Sequence, residues 1–230
     1  VDITAYQDTT LAFGWAKRTK NKKFAWGFLT KAIYRGTIDK SYLALDLVNN
    51  SGNPIQKSDF KEGLTVDADL GTQWSPFLNR DHGFFSVFKP TFAMVLRNSV
   101  DPGFFTNYHL YNKESGKPEK IQRHLDIGAR WDLPEWSYWQ ARIMTDVRDI
   151  LDHYFSMRKG IHLGTEFIYD FGTGLNGSLQ AGLSQGYWTA GIGIQSLFIK
   201  LELVTYAEEY GTQHAHMTDR QYMAQFNFDF

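Results

Sequence analysis

The residues that most often carry chemistry are scattered through this sequence. The seven histidines are His82, His109, His124, His153, His162, His214 and His216. The 230-residue chain has no cysteine, which excludes disulfides, thiol catalysis and cysteine-ligated metal centres. No compact Ser, His and Asp pattern is visible, although folding could still bring a Ser–His pair together. The sequence therefore favours a protein without enzymatic activity, and we expect no cofactor.

Two histidines one residue apart form the strongest metal-binding candidate. His214 and His216 flank a single alanine, so both imidazoles lie on one side of an extended segment. A bound divalent cation would also need a fixed third ligand, which the spacing does not supply. Because a solvated polar loop explains the same residues, we predict no metal site and keep His214 and His216 as candidates only.

Charged side chains recur on one face of many segments, opposite apolar side chains. Nine acids and eight bases share this polar face. Charges in a narrow interior are costly unless they are paired or hydrated. We therefore predict a charge network that either fills an interior or borders an aqueous pore. Its members are Lys31, Arg35, Asp67, Asp69, Asp126, Arg130, Asp132, Arg142, Asp146, Arg148, Glu166, Asp170, Lys200 and Glu202, joined by Lys89, Arg97 and Asp229.

The elements that would position these charges are β-strands. Aromatic residues make up 16% of the chain, and apolar and polar residues alternate with a period of two. Pro90 cannot donate a ladder hydrogen bond, so we expect a bulge or an interruption there. Residues 41–48 fit either a short loop helix or another strand, and we favour the loop helix. The eleven alternating segments are 11–16, 24–29, 64–71, 84–98, 125–133, 139–147, 163–171, 179–183, 190–194, 199–203 and 222–230.

The face that is buried separates a soluble barrel from a barrel in a membrane. In a soluble barrel the apolar face points inward and the charges face water. Aromatics at strand ends, and short turns alternating with long loops, instead favour an apolar face that meets lipid. No run of 18 apolar residues exists, so no membrane-spanning helix is expected. The strand-end aromatics are Trp131, Trp136, Trp139, Tyr169, Phe171, Tyr187, Trp188 and Tyr206.

The last segment carries the most specific pattern. Apolar residues alternate from Tyr222 through Ala224, Phe226 and Phe228 to the terminal aromatic Phe230. This segment resembles the last strand of outer-membrane proteins of Gram-negative bacteria. The resemblance implies recognition by the barrel-assembly machinery, contact with outer-membrane lipid and a location in the bacterial outer membrane, with the signal peptide already removed.

Counting back from residue 230 gives an expected topology. If this residue ends on the periplasmic side, loop 208–219 is extracellular and the turns at 172–174, 133–136, 76–83 and 19–22 are periplasmic. Single-chain bacterial barrels normally have an even number of strands, so we expect residues 1–7 to supply a twelfth. We thus predict one domain over residues 1–230, an all-β antiparallel up-and-down transmembrane barrel of about twelve strands, within a range of about 10–14.

A broader resemblance covers most of the chain. The runs LAFGWAK at 11–17 and DADLG at 67–71, segments 24–31 and 92–98, and TDVRDI at 145–150 resemble fatty-acid-transporter-type and conjugal-transfer-type barrels. The sequence is shorter than those transporters and lacks the Asn-Pro-Ala motif of their N-terminal plug. The resemblance implies a barrel that handles a small solute or a hydrophobic ligand.

Together these features predict a small channel or transporter-like barrel with a charged, partly blocked lumen. The alternative is a structural or docking barrel whose extracellular loops bind a partner, and an outer-membrane hydrolase is less favoured. We expect no nucleic-acid partner, because 24 basic and 25 acidic side chains leave a formal net charge of -1.

Overall fold

The protein is an all-β chain in a computed structural model that describes residues 2–41, 59–78, 83, 87–105, 116–153, 155–172, 174–209 and 217–228. A short helix, α1, spans Met157–Gly160. The strands are β1 (Asp2–Arg18), β2 (Phe24–Ser41), β3 (Phe60–Trp74), β4 (Pro90–Arg97), β5 (His124–Asp132), β6 (Trp139–Val147), β7 (Ile161–Asp170), β8 (Asn176–Ser184), β9 (Tyr187–Gln195), β10 (Ile199–Glu209) and β11 (Thr218–Phe228).

The eleven strands form one sheet in which each strand neighbours the next in sequence order. The pairs for which the register is defined are antiparallel, so the sheet is an up-and-down meander. Each of the eleven segments predicted from alternation overlaps one of these strands. The predicted antiparallel all-β architecture is therefore confirmed, and β1 and β11 are the first and last strands of the sheet.

The predicted twelfth strand at residues 1–7 is wrong. Residues 2–18 form the single continuous strand β1, so the residues before Leu11 extend that strand. Asp8, Thr9 and Thr10 link the two parts without a glycine or proline to reverse the chain, and threonine favours extended backbone. The described part of the chain therefore has eleven strands.

Pro90 is the first residue of β4, which agrees with the expected interruption. Lys89 before it has a φ of 37°, in the left-handed region, and follows the helical residues Val87 and Phe88. A proline tolerates the first position of a strand because its missing N–H is not needed there. Within the described part of the predicted segment 84–98, the strand covers Pro90–Arg97.

Tight turns join several neighbouring strands. Between β1 and β2, the Thr19 N–H donates to the Phe24 carbonyl at 2.8 Å, and the Lys22 N–H donates to the Thr19 carbonyl at 2.8 Å. Between β8 and β9, Gln185 and Gly186 both have positive φ, at 54° and 80°. Two central residues of positive φ match the twist of a two-residue hairpin, and glycine adopts the second without strain.

The chain divides into two compact units. Unit 1 comprises Val1–Ala16, Gly27–Leu70 and Leu96–Arg123, and unit 2 comprises Lys17–Trp26, Gly71–Val95 and His124–Phe230. The expectation of a single domain stays a prediction. No helix among the described residues is long and apolar enough to cross a membrane.

Apolar side chains are the exposed ones along the strands of both units. In unit 1, Leu11 is 79% exposed, while Thr65 and Asp67 are 3% and 2% exposed. In unit 2, Ile192 is 54% exposed, and the neighbouring Gly191 and Gly193 are buried. Polar residues and glycines therefore occupy the less accessible face, and large apolar side chains occupy the accessible face.

Candidate functional site

In unit 1, a polar cluster joins β2, β3 and the end of β4. The Lys31 ammonium lies 2.6 Å from the Asp69 carboxylate and donates to the Asn98 side-chain oxygen at 2.8 Å. The Asn98 N–H also donates to Asp69 at 2.9 Å. The Lys31 and Asp69 side chains are only 13% and 18% exposed, so water screens this pair weakly. We call Lys31, Asp69 and Asn98 the Lys31 cluster.

The residues after β4 cover the polar face of β3. The Asp67 carboxylate accepts the N–H of Val100 at 3.1 Å, and the Thr65 hydroxyl donates to the Gly103 carbonyl at 2.7 Å. Backbone bonds of 2.8 Å join Ser99 to Ala68 and Phe105 to Leu64. We call residues 98–105 the covering segment, because they satisfy the polar groups of β3 and bury them.

Backbone conformation lets the covering segment approach β3 closely. Asp101 and Gly103 have positive φ, and Pro102 lies between them. A Cβ added to Gly63 would lie only 2.9 Å from the Phe104 Cβ and 3.0 Å from the Pro118 Cδ. Gly63 is therefore the residue that makes room for Phe104, which is 5% exposed.

Two further polar contacts of unit 1 lie on neighbouring strands. Arg35 makes a two-pronged ion pair with Asp8, with N···O distances of 2.7 and 2.6 Å. The Tyr34 hydroxyl donates to Glu62, whose side chain is fully buried. Sequence reasoning did not single out Asp8 or Glu62, because both lie outside the alternating segments predicted at 11–16 and 64–71.

In unit 2, a row of polar side chains crosses four strands. The register pairs Asp132 with Arg142, Arg142 with Glu166, and Glu166 with Gln180. The Arg142 guanidinium lies 3.3 Å from Asp132 and 3.1 Å from Glu166. The Gln180 amide donates to the other Glu166 oxygen at 3.3 Å. We call Asp132, Arg142 and Glu166 the Arg142 cluster.

Seven of the remaining predicted charges of unit 2 have close partners: six pair with a residue two positions away, and Asp126 pairs with a residue that follows β6. Arg130 lies 3.1 Å from Asp132, Lys200 lies 2.9 Å from Glu202, and Arg148 pairs with Asp146. Asp126 accepts the Asp149 N–H at 2.9 Å, and Asp170 accepts the Gly172 N–H at 2.8 Å.

Asp67 and Asp69 find partners within unit 1. Asp69 pairs with Lys31, and Asp67 accepts hydrogen bonds from backbone N–H groups. Partners on adjacent strands or in the covering segment satisfy both acids locally. The role of the fourteen charged residues as a lumen network stays a prediction.

Unit 2 also contains a polar cavity of about 460 Å³. It lies at the end of the sheet where the β5–β6, β7–β8 and β9–β10 connections occur. Amide side chains from Gln140, Asn176 and Gln195 line it, and it is bordered by six charged side chains. These are Glu135, Arg142, Glu166, Asp170, Lys200 and Glu202.

The structure brings one Ser–His pair together. The His162 Nδ1 and the Ser184 hydroxyl are 2.9 Å apart across paired strands β7 and β8. A catalytic triad also needs an acid bonded to the second ring nitrogen. Among the residues that the structure describes, no carboxylate makes that hydrogen bond. Ser184 and His162 therefore form a cross-strand hydrogen bond without the geometry of a triad.

Several predicted residues lie outside the described residues. They are His214, His216, Phe230, Asp229 and, except for Ser41, the loop helix expected at residues 41–48. Within the described ranges, no group of three or more His, Asp or Glu residues could hold a metal ion. Tyr222, Ala224, Phe226 and Phe228 lie at alternate positions of β11 and are exposed, but their role as an assembly signal stays a prediction.

Comparison with known proteins gives no match: no family model, no curated protein and no solved structure matches this chain.

Proposed function

We propose that the protein is an integral β-barrel of the bacterial outer membrane, acting as a small channel or transporter-like barrel with a charged, partly blocked lumen. The observation that carries this proposal is the distribution of exposure between the two faces. Leu179 and Ile192 are 56% and 54% exposed, whereas Asp67 is 2% exposed. Lipid is the environment in which an exposed apolar face and an enclosed polar face are both favourable.

In a soluble protein, this arrangement would expose apolar side chains to water and also bury charged ones. Soluble monomers rarely expose contiguous apolar patches larger than a few hundred Å². Burying a carboxylate such as Asp67 adds a desolvation cost that its hydrogen bonds must offset. Placing the apolar face against lipid removes the cost of exposing it to water, because the apolar side chains then contact lipid.

Aromatic contacts at one end of the sheet support a membrane interface there. Tyr169 packs against Trp139 and Phe171, with ring centroids 4.7 and 4.6 Å apart. Tyr138, at 60% exposure, lies beside the same ring at 6.2 Å. Aromatic side chains of this kind are enriched where the hydrocarbon layer meets water. We infer that this end marks one edge of the membrane-embedded band.

The interior chemistry favours a small polar solute over a hydrophobic ligand. The cavity of unit 2 is lined by more polar than apolar surface, including six charged and three amide side chains. The covering segment of unit 1 supports partial blockage, because it fills the polar face of β3. The same blockage supports the alternative of a docking barrel that does not conduct.

Electrical recording separates the channel from the docking barrel. Purified full-length protein, shown to be folded by heat-modifiable gel mobility, is added to a planar lipid bilayer in KCl. Stable current steps that are absent with heat-denatured protein are the result expected for a channel. A folded protein that incorporates into the bilayer without steps would contradict the channel and favour docking.

Membrane location needs a separate test. In a Gram-negative host, the full-length protein should fractionate with the outer membrane and resist extraction by carbonate. Recovery in the soluble fraction as a folded monomer would contradict the membrane proposal itself.

A further inference from the structure

The polar cavity of unit 2 has an unequal balance of charge. Four carboxylates border it, from Glu135, Glu166, Asp170 and Glu202, against two cationic groups. Both cationic groups are engaged: Lys200 lies 2.9 Å from Glu202, and Arg142 lies 3.1 Å from Glu166. The paired groups largely cancel one another at a distance, so the remaining field is set by the other two acids.

Those two acids face the cavity without a cationic partner among the described residues. Among the described residues, Asp170 accepts the Gly172 N–H at 2.8 Å, and this bond leaves its negative charge in place. Glu135 lies in the β5–β6 connection and is exposed. The cavity therefore carries an excess of about two negative charges, and the amide oxygen of Gln195, which also lines it, can face a cation.

A glycine on β9 keeps the cavity open. A Cβ added to Gly193 would collide with the Ser178 hydroxyl and would lie 3.4 Å from the Glu202 Cγ. A side chain at this position would therefore displace groups that line the cavity. The volume of about 460 Å³ is large enough for a small solute together with hydrating water.

We propose that this cavity is a selectivity site for small hydrated cations. The inference rests on the proposed channel function and names its substrate class. A concave site with low-dielectric walls focuses the field of its fixed charges, which raises the local concentration of cations and lowers that of anions. The described residues form no cluster that could hold a metal ion, so the site selects by charge without chelating the ion.

The test compares two double variants of the full-length protein in planar bilayers under a KCl gradient. The first, Glu135→Gln with Asp170→Asn, removes both uncompensated charges and keeps an oxygen that can accept the Gly172 N–H. The control, Glu119→Gln with Asp219→Asn, removes two exposed carboxylates that do not line the cavity. Both variants change the net charge by the same amount.

The wild-type protein and the control should pass potassium in preference to chloride. The Glu135→Gln/Asp170→Asn variant should lose that preference by about threefold or more. Current steps without cation preference in the wild type would overturn the inference and leave the channel standing. Unchanged preference in the cavity variant, or an equal loss in the control, would also overturn it. Complete electrical silence of the folded wild-type protein would overturn the channel and the inference together.

Discussion

Removing the Arg142 side chain tests whether ion pairs on the polar face stabilise the fold. Arg142 lies between Asp132 and Glu166, and an Arg142→Ala variant leaves both carboxylates without their central cation. Breaking a fully buried pair from one side costs about 3–5 kcal/mol, because the partner remains charged and desolvated. Here the Arg142 side chain is 32% exposed, and Asp132 and Glu166 are 23% and 17% exposed.

Partial exposure reduces the expected cost. Water reaches the three side chains, and the Gln180 amide still donates to Glu166 after the substitution. We therefore expect the Arg142→Ala variant to lose about 2 kcal/mol in the free energy of unfolding, between the values for buried and exposed pairs. The double variant Arg142→Ala/Glu166→Gln should recover part of that loss, since it removes one stranded charge.

The assay is urea unfolding of the protein in lipid vesicles, followed by the fluorescence of its seven tryptophans. Arg130→Ala is the matched control, because Arg130 contacts Asp132 at 3.1 Å but is 46% exposed. The control should change stability by less than about 0.5 kcal/mol. If Arg142→Ala costs no more than Arg130→Ala, the Arg142 cluster does not stabilise the fold and the reasoning is refuted.

Three further substitutions test assembly, face assignment and the covering segment. Phe230→Asp should lower the amount of heat-modifiable protein in outer-membrane fractions, and an unchanged level would contradict the predicted assembly signal. Ile127→Arg should lower the free energy of unfolding in vesicles by about 2–4 kcal/mol if the residue lies near the bilayer midplane. The control Gly128→Ala, whose added Cβ lies 3.4 Å from Asp146, should change that free energy only slightly. An Ile127→Arg variant as stable as the wild type would favour a soluble barrel. Asp67→Ala removes the acceptor of the Val100 N–H, so limited proteolysis should cut the covering segment faster than in the wild type; equal cleavage rates would show that Asp67 does not hold it.

Period-two alternation was sufficient to locate the strands of this sheet. Residues such as Ile127, Ala129 and Trp131 alternate with charged or small residues, and a strand places every second side chain on the same face. The number of strands was harder to predict. The even-number rule favoured a separate strand before Leu11, whereas the local sequence extends β1 through that region.

The partners of the charged residues could not be read from alternation. Alternation assigns Lys31 and Asp69 to one face, but it does not specify the register that brings them within 2.6 Å. That register depends on turns and on packing between strands, which a pattern of period two leaves free. Alternation likewise does not show that Asp67 accepts hydrogen bonds from the backbone N–H groups of Ala68 and Val100.

The covering segment did leave a signal in the sequence. Asn98, Asp101 and Gly103 are residue types that tolerate positive φ, and Pro102 precedes Gly103. This composition indicates a sharply turned segment directly after β4. It does not indicate that the segment folds over β3, because that contact depends on Thr65 and Asp67 finding partners across about 35 residues of sequence.

The positions of the ion pairs indicate whether side chains would have to fill a charged interior in order to neutralise its charges. Lys31 and Asp69 lie on strands β2 and β3, and Arg142 and Glu166 lie on strands β6 and β7. Pairs between adjacent strands keep the charges along the wall of the sheet, so neutralising them does not require side chains to reach across an interior. Nearly equal numbers of acids and bases are therefore compatible with a water-filled space beside a paired wall. In that arrangement, acids that have no cationic partner among the described residues would determine which ions enter. Glu135 and Asp170 are two such acids, and substituting them tests the proposed selectivity separately from stability.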